Sequence, residues 1–145
     1  MCLQAIILTD ETRMILTPTY HVLDLYQPHM DATLLPNNLH SPLYSFSGEN
    51  MEAISVSCSS DKNDKMYITL VNMDPNNEIK ITCSTEGKEA KKVSGKFITS
   101  SKISENDSFD AANVVSVKEF SGAKISKGLI EAVLPSKSVV LLQVD

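Results

Sequence analysis

Tryptophan is absent from this chain, which has 145 residues, four tyrosines and four phenylalanines. Sugar-binding sites usually stack the sugar ring on an exposed aromatic side chain, tryptophan above all. The sequence therefore disfavours a dedicated carbohydrate-binding module, although it leaves that alternative open.

Positive charge and long apolar runs are also scarce. Lysine and arginine total 13 against 18 aspartates and glutamates, which gives a net charge of -5. This charge argues against nucleic acid or an anionic membrane as a partner. No apolar run approaches the roughly 20 residues that span a bilayer. The opening residues lack a basic stretch and a small-residue cleavage site, so we do not expect a signal peptide there.

The three cysteines, Cys2, Cys58 and Cys83, are widely spaced and form no CxxC motif. A structural zinc site is therefore not expected, and no other metal is implied. Cys58 and Cys83 each lie in a strand-like run, where we expect small buried residues with free thiols. The alternative, a disulfide between them, depends on facing Cβ atoms and stays open.

Motifs of nucleophilic or metal-dependent hydrolysis are missing as well. The chain contains no GxSxG and no HExxH sequence. His21 and His29 fall on a predicted helix, and His40 lies in a loop that is flanked by prolines. We therefore interpret the three histidines as surface or interface residues, and we expect no cofactor.

The first region, residues 1–36, has the pattern of a βα unit. Its apolar run from Leu3 to Leu8 is typical of a strand that is buried on both faces. Thr17 and Pro18 then predict a helix start, followed by apolar residues at helical spacing, and Pro28 should end that helix. A single βα unit cannot bury both faces of its strand. We therefore interpret residues 1–36 as a piece of a larger domain.

The second region, residues 37–145, alternates apolar and polar residues with turn signals between the runs. Roughly eight short strands at this spacing predict an all-β fold, an antiparallel β-sandwich of jelly-roll type. The segment from Ser100 to Asn113 is polar and is expected to be a long loop. The expected strands include Ile54–Cys58, Tyr67–Val71, Ile79–Cys83, Lys96–Thr99, Val114–Val117, Leu129–Val133 and Ser138–Leu142.

Several motifs, taken in order, resemble the C-terminal part of α-L-arabinofuranosidases of glycoside hydrolase family 51. Thr17-Pro18-Thr19-Tyr20-His21-Val22 is similar to a helix start at the end of that family's catalytic domain. Leu70 to Pro75 resembles its LVNLDP strand and turn. The stretch from Asn106 to Val115 resembles its N-x-F-(D/E)-x-P-N-x-V segment, although Ala112 stands where proline is usual. Leu134 to Leu141 resembles its closing LPAKSVVVL.

This resemblance implies that a (β/α)8 barrel precedes the β-sandwich. A complete barrel needs about 250 residues, whereas this chain has one βα unit. Residues 1–36 would then be the last strand and helix of a truncated catalytic barrel, and residues 37–145 the C-terminal domain. The partner implied is the missing barrel, through which the parent would act on arabinose-containing polysaccharides or oligosaccharides.

A retaining glycosidase needs two carboxyl groups about 5 Å apart. In the family that the chain resembles, both are glutamates on earlier barrel strands, and the acid/base follows an asparagine. The Asn77-Glu78 pair of this chain follows Asp74-Pro75, where a solvated turn is the simpler interpretation. Gly48-Glu49-Asn50 has the reverse order. We therefore assign no catalytic residue to this chain.

Two alternatives remain at this point. Tyr44 and Phe46 would share one face of a strand and are the candidate sugar contacts of a carbohydrate-binding module. A homo-oligomer is the second open question, since the contacting surface cannot be read from the sequence. The compartment also stays open between cytoplasmic, secreted and periplasmic, with the cytoplasm favoured.

Overall fold

The computed structural model describes residues 5–145. The strands are β1 (Ile7–Asp10), β2 (Arg13–Leu16), β3 (Thr33–Leu34), β4 (Leu43–Phe46), β5 (Glu49–Glu52), β6 (Ile54–Ser60), β7 (Met66–Asn72), β8 (Ile79–Cys83), β9 (Val93–Ile98), β10 (Lys118–Glu119), β11 (Ala123–Ser126), β12 (Leu129–Leu134) and β13 (Ser138–Val144). One helix, α1 (Pro18–Tyr26), runs into a 3₁₀ turn at Gln27–His29. No helix of residues 5–145 is long and apolar enough to cross a membrane.

Two antiparallel sheets form the sandwich that the sequence predicts. The large sheet has the order β10-β9-β13-β7-β6-β3, and the small sheet has the order β11-β12-β8. The alternation of β7 turns Met66, Ile68 and Leu70 toward the small sheet, as the two-residue period of a strand requires. The core between the sheets includes Ile54, Met66, Ile68, Leu70, Phe120, Ile130, Ala132, Leu134, Val140, Leu142 and Val144.

A second apolar layer covers the outer face of the large sheet. Leu25 of α1 is only 2% exposed and belongs to a cluster with Ile98, Val115 and Leu141. Side chains on both faces of β13 are therefore buried, those of Val140 and Leu142 inside the sandwich and that of Leu141 beneath the helix. The βα segment thus docks on the sandwich through its helix.

The start and end of α1 agree with the sequence prediction. Thr17 has an extended backbone conformation before Pro18, the first helical residue, and the helix ends at Tyr26 before Pro28. The Thr17 hydroxyl forms no cap with the helix. Instead it lies 2.9 Å from the carbonyl oxygens of Ala5 and Ile6, to which it can donate. This contact fixes the helix start against the segment that precedes β1.

The predicted strand Leu3–Leu8 is only partly testable, because residues 1–4 lie outside the described part of the chain. Within that part the strand begins at Ile7, ends at Asp10 and turns back to pair with β2 as a hairpin. The sequence analysis missed this hairpin. Its turn places Glu11 in the left-handed region, with φ 47°, and contains no glycine or asparagine that would have signalled it.

A second strand prediction, Val114–Val117, is wrong. The backbone N–H groups of Val114 and Val115 donate to Oδ1 of the buried Asp107, at 2.6 Å and 3.3 Å, rather than to a neighbouring strand. The short strand β10 begins only at Lys118. The sequence analysis also missed β11, which pairs with β12 along its whole length.

The predicted division after residue 36 is not tested by these observations. Thr33 and Leu34 pair with Ser60 and Ser59 of β6, so the chain joins the large sheet before that point. The boundary therefore stays a prediction about the parent protein.

Asn72 connects the two sheets through a buried amide. Its Nδ2 donates to the carbonyl oxygens of Pro135 at 2.8 Å, Asn77 at 3.0 Å and Leu134 at 3.3 Å. Its Oδ1 accepts the backbone N–H of Asp74 at 3.0 Å. Asn72, the asparagine of the LVNMDP segment, lies on β7 of the large sheet. Its side chain supplies hydrogen-bond donors to the carbonyl groups at the end of β12 in the small sheet.

We expect Leu25→Ala to lower the free energy of unfolding by about 2–5 kcal/mol, because it leaves a cavity beneath the helix. Leu23 lies on the exposed side of the same helix. Leu23→Ala is the matched control and should change stability by less than about 0.5 kcal/mol. Urea unfolding followed by circular dichroism measures both. Equal effects of the two substitutions would contradict the docking of α1.

We expect Asn72→Leu, which preserves side-chain size, to destabilise the sandwich by about 1–3 kcal/mol for each carbonyl left buried without a donor. Asn76→Leu, at an exposed position of the adjacent turn, is the control and should be nearly neutral. Thermal and urea unfolding compare them. A neutral Asn72→Leu would show that this amide does not connect the sheets energetically.

Candidate functional site

The two candidate sugar contacts lie on a two-stranded hairpin outside the sandwich. Tyr44 of β4 pairs with Met51 of β5, and Phe46 lies two residues further along β4 on the same face. Phe46 is 72% exposed, whereas Tyr44 is half-buried. The two rings share a face as the sequence predicted, and their binding to sugar stays a prediction.

The histidines do not come together. His40 is exposed in the loop after β3, and His21 is half-buried on α1. The ring of His29 lies between the 3₁₀ turn and the large sheet, with Nδ1 2.7 Å from Ser59 Oγ and Nε2 2.8 Å from Thr69 Oγ1. His29 is thus an interface residue within the chain.

The Asn77-Glu78 pair lies in a solvated turn, as the sequence predicted. Asp74 Oδ1 accepts the backbone N–H groups of Asn76 at 2.8 Å and Asn77 at 3.0 Å, and Oδ2 accepts Asn77 Nδ2 at 2.9 Å. These bonds, the side-chain bond of Asn77 foremost, lower the pKa of Asp74. Glu78 is exposed beside this turn, and Glu49 is exposed on β5.

The described residues offer no converging set of side chains of the kind that a metal site requires. Within residues 5–145, no three or more histidine, cysteine, aspartate or glutamate side chains are grouped so that they could hold a metal ion.

The more distinctive feature is an open groove of about 1100 Å³ between the two sheets. β8 forms one edge of the small sheet, so its outer backbone edge has no partner strand among the described residues. The six-stranded sheet therefore extends beyond the three-stranded sheet. Apolar side chains of the groove wall are Ile54, Val56, Met66, Ile68, Ile79 and Ile81.

Cys58 and Cys83 line this groove from opposite sheets, and both are free thiols. Burial, together with the nearby Cys83, raises the pKa of the Cys58 thiol to about 11. Burial also raises the pKa of Cys83. These thiols act as apolar wall residues rather than nucleophiles, which agrees with the sequence interpretation.

A second set of exposed apolar side chains lies near the start of the chain. Met14 of β2, Leu23 of α1 and Met30 are more than half exposed, as is Leu34 of the edge strand β3. Where such side chains form a patch, it usually marks a contact with another protein segment. The sequence analysis gave no sign of the groove, since β8 alternates like any half-buried strand.

The described residues thus present contact surfaces. Two comparisons with known proteins identify the family. Residues 1–138 match the family model described as the α-L-arabinofuranosidase C-terminal domain. An intracellular exo-α-L-arabinofuranosidase of Bacteroides ovatus is 36% identical over 144 residues, which are 99% of this chain and 28% of that protein.

Solved structures give the same result. The family 51 arabinofuranosidase of Xanthomonas axonopodis pv. citri superposes with a TM-score of 0.95 at 34% identity. The match covers 99% of this chain and 29% of the Xanthomonas chain. The family 51 enzyme of Thermotoga petrophila, at 18% identity and a TM-score of 0.78, shares the fold over 96% of this chain and 31% of its own. The chain thus spans less than a third of the length of these relatives. It belongs to the α-L-arabinofuranosidase C-terminal domain family, whose members occur in glycoside hydrolase family 51.

Proposed function

We propose that this chain is a non-catalytic domain that covers and stabilises the catalytic barrel of a larger α-L-arabinofuranosidase. The parent would remove terminal non-reducing α-L-arabinofuranosyl residues with retention of configuration. Its arabinose-containing substrates would bind to the barrel, with no cofactor. Two uncovered apolar surfaces, the groove beside β8 and the exposed side chains of the βα segment, carry this proposal. The chain aligns with only 28% of the length of the Bacteroides ovatus relative.

The exposed surface of the βα segment supports the first contact. Its side chains lie within residues 1–36, which the interpretation from sequence assigns to the end of the barrel, and the opposite side of the helix is already buried through Leu25. A segment docked in this way would hold the barrel at a fixed position on the sandwich. Burial of apolar area at about 25 cal/mol per Å² would favour that contact.

The open groove supports a second contact. Its walls continue the core of the sandwich, and the edge of β8 offers unpaired backbone donors and acceptors. Such an edge is usually paired or covered in a native protein. An extended segment of the parent that lies beside β8 would complete both the sheet and the core.

The alternative function is sugar binding at the hairpin of β4 and β5, and the exposure of Phe46 beside Tyr44 favours it. Titration with arabinan or arabinoxylan oligomers should then shift the signals of both residues saturably. Phe46→Ala should abolish those shifts, because stacking on the ring would supply the affinity.

We expect the isolated chain to release no nitrophenol from 4-nitrophenyl α-L-arabinofuranoside, since the two carboxyl groups of a retaining site would lie on the barrel. The full-length parent should turn this substrate over under the same conditions. Replacement of every carboxylate of residues 37–145 one at a time would leave that activity measurable. Clear turnover by the purified 145-residue chain would contradict the proposal.

Alkylation of Cys83 tests the covered groove. In a Cys2→Ser background, iodoacetamide should modify Cys83 of the isolated chain slowly but completely, because the half-buried thiol has a raised pKa. In the full-length parent the same thiol should be protected, and labelling in urea gives the total for each protein. Equal labelling rates in both proteins would show that nothing covers the groove.

A further inference from the structure

His29 is the polar contact between the helical segment and the outer face of the large sheet. Its ring nitrogens reach Ser59 on β6 at 2.7 Å and Thr69 on β7 at 2.8 Å. Ser59 is 3% exposed and Thr69 is fully buried. One ring therefore joins the end of α1 to two adjacent strands.

The neutral ring suits this position. One nitrogen accepts a hydroxyl hydrogen, and the other donates its N–H to the second hydroxyl oxygen. Neither hydroxyl has another hydrogen-bond partner among the described residues. Protonation makes both ring nitrogens donors, so the hydroxyl that had donated to the ring must turn its hydrogen away into a buried space.

The groups that face the ring offer no compensating negative charge. Tyr26 of α1 lies 5.7 Å from it and Tyr67 of β7 lies 6.5 Å from it, measured between ring centroids. Asp24 on α1 and Asp31 after the turn are exposed, and no carboxylate of residues 5–145 forms an ion pair with His29. Burial accordingly lowers the pKa of His29.

We propose that His29 is an acid-sensitive latch, which holds the helical segment against the sandwich more tightly when neutral than when protonated. The direction follows from proton linkage. The unfolded or undocked chain binds a proton near pH 6.5, whereas the docked ring resists it. The stabilisation is thus complete above pH 6.5 and is lost progressively as the pH falls below that value. The latch concerns this chain alone and does not rest on the activity of the parent.

The test compares the whole 145-residue chain with two variants at pH 7.5 and pH 5.0. His29→Gln keeps hydrogen-bonding groups at this position but cannot titrate, and His40→Gln is the matched control in an exposed loop. For each protein we compare the equilibrium constant for unfolding at pH 5.0 with that at pH 7.5. We expect this constant to rise several-fold more in the wild-type chain and in His40→Gln than in His29→Gln. Urea unfolding at each pH gives these constants.

Amide hydrogen exchange of the wild-type chain at pH 7.5 and pH 5.0 gives an independent readout. The latch predicts that, after correction for the intrinsic exchange rates, hydrogen-exchange protection of the α1 amides falls more between pH 7.5 and pH 5.0 than that of the β7 and β13 amides. Equal falls in the helix and the strands would overturn the proposal, as would equal acid sensitivity of the wild-type chain and His29→Gln. The wild-type exchange rates decide the question even if His29→Gln fails to fold.

Discussion

The burial of Leu25 beneath α1 is the contact on which the arrangement of this chain depends. It gives the large sheet a second apolar layer, so that β13 contributes Leu141 to one core and Leu142 to the other. A lone strand–helix segment has no core of its own. The helix is ordered because the sandwich supplies the surface that buries it, and the sandwich in turn has one face protected from water.

This docking also determines which surfaces are left uncovered. Because one side of the helix faces the sheet, the opposite side and the adjoining hairpin present their apolar residues to solvent. The groove beside β8 adds an unfilled part of the inner core. Both surfaces include apolar side chains, and in the proposed parent protein they are the places where the catalytic barrel and its flanking segments would be held. In that proposal the domain would act through packing rather than through chemistry.

Much of the fold could be predicted from local pattern. Strands such as β6, β7 and β13 alternate clearly, and Thr17, Pro18 and Pro28 mark the helix. The errors arose where a side chain or an unusual turn overrides local preference. The Asp107 carboxylate accepts hydrogen bonds from the backbone N–H groups of Val114 and Val115. Glu11 adopts a positive φ, which a glutamate does not predict. The presence of the groove depends on which strand lies at a sheet edge. The hydrogen bonds of His29 depend on the hydroxyl groups of Ser59 and Thr69, which are 30 and 40 residues away in the sequence. Neither arrangement leaves a periodic signal in the sequence.

Native-state hydrogen exchange of the 145-residue chain at neutral pH tests the docking most directly. The account predicts that the amides of Leu25 and Tyr26 exchange far more slowly at neutral pH than those of a free peptide, because the docked helix must open before they exchange. Exchange of the helical amides at the rate of a free peptide, while the strands stay protected, would show that the helix is not part of the folded unit.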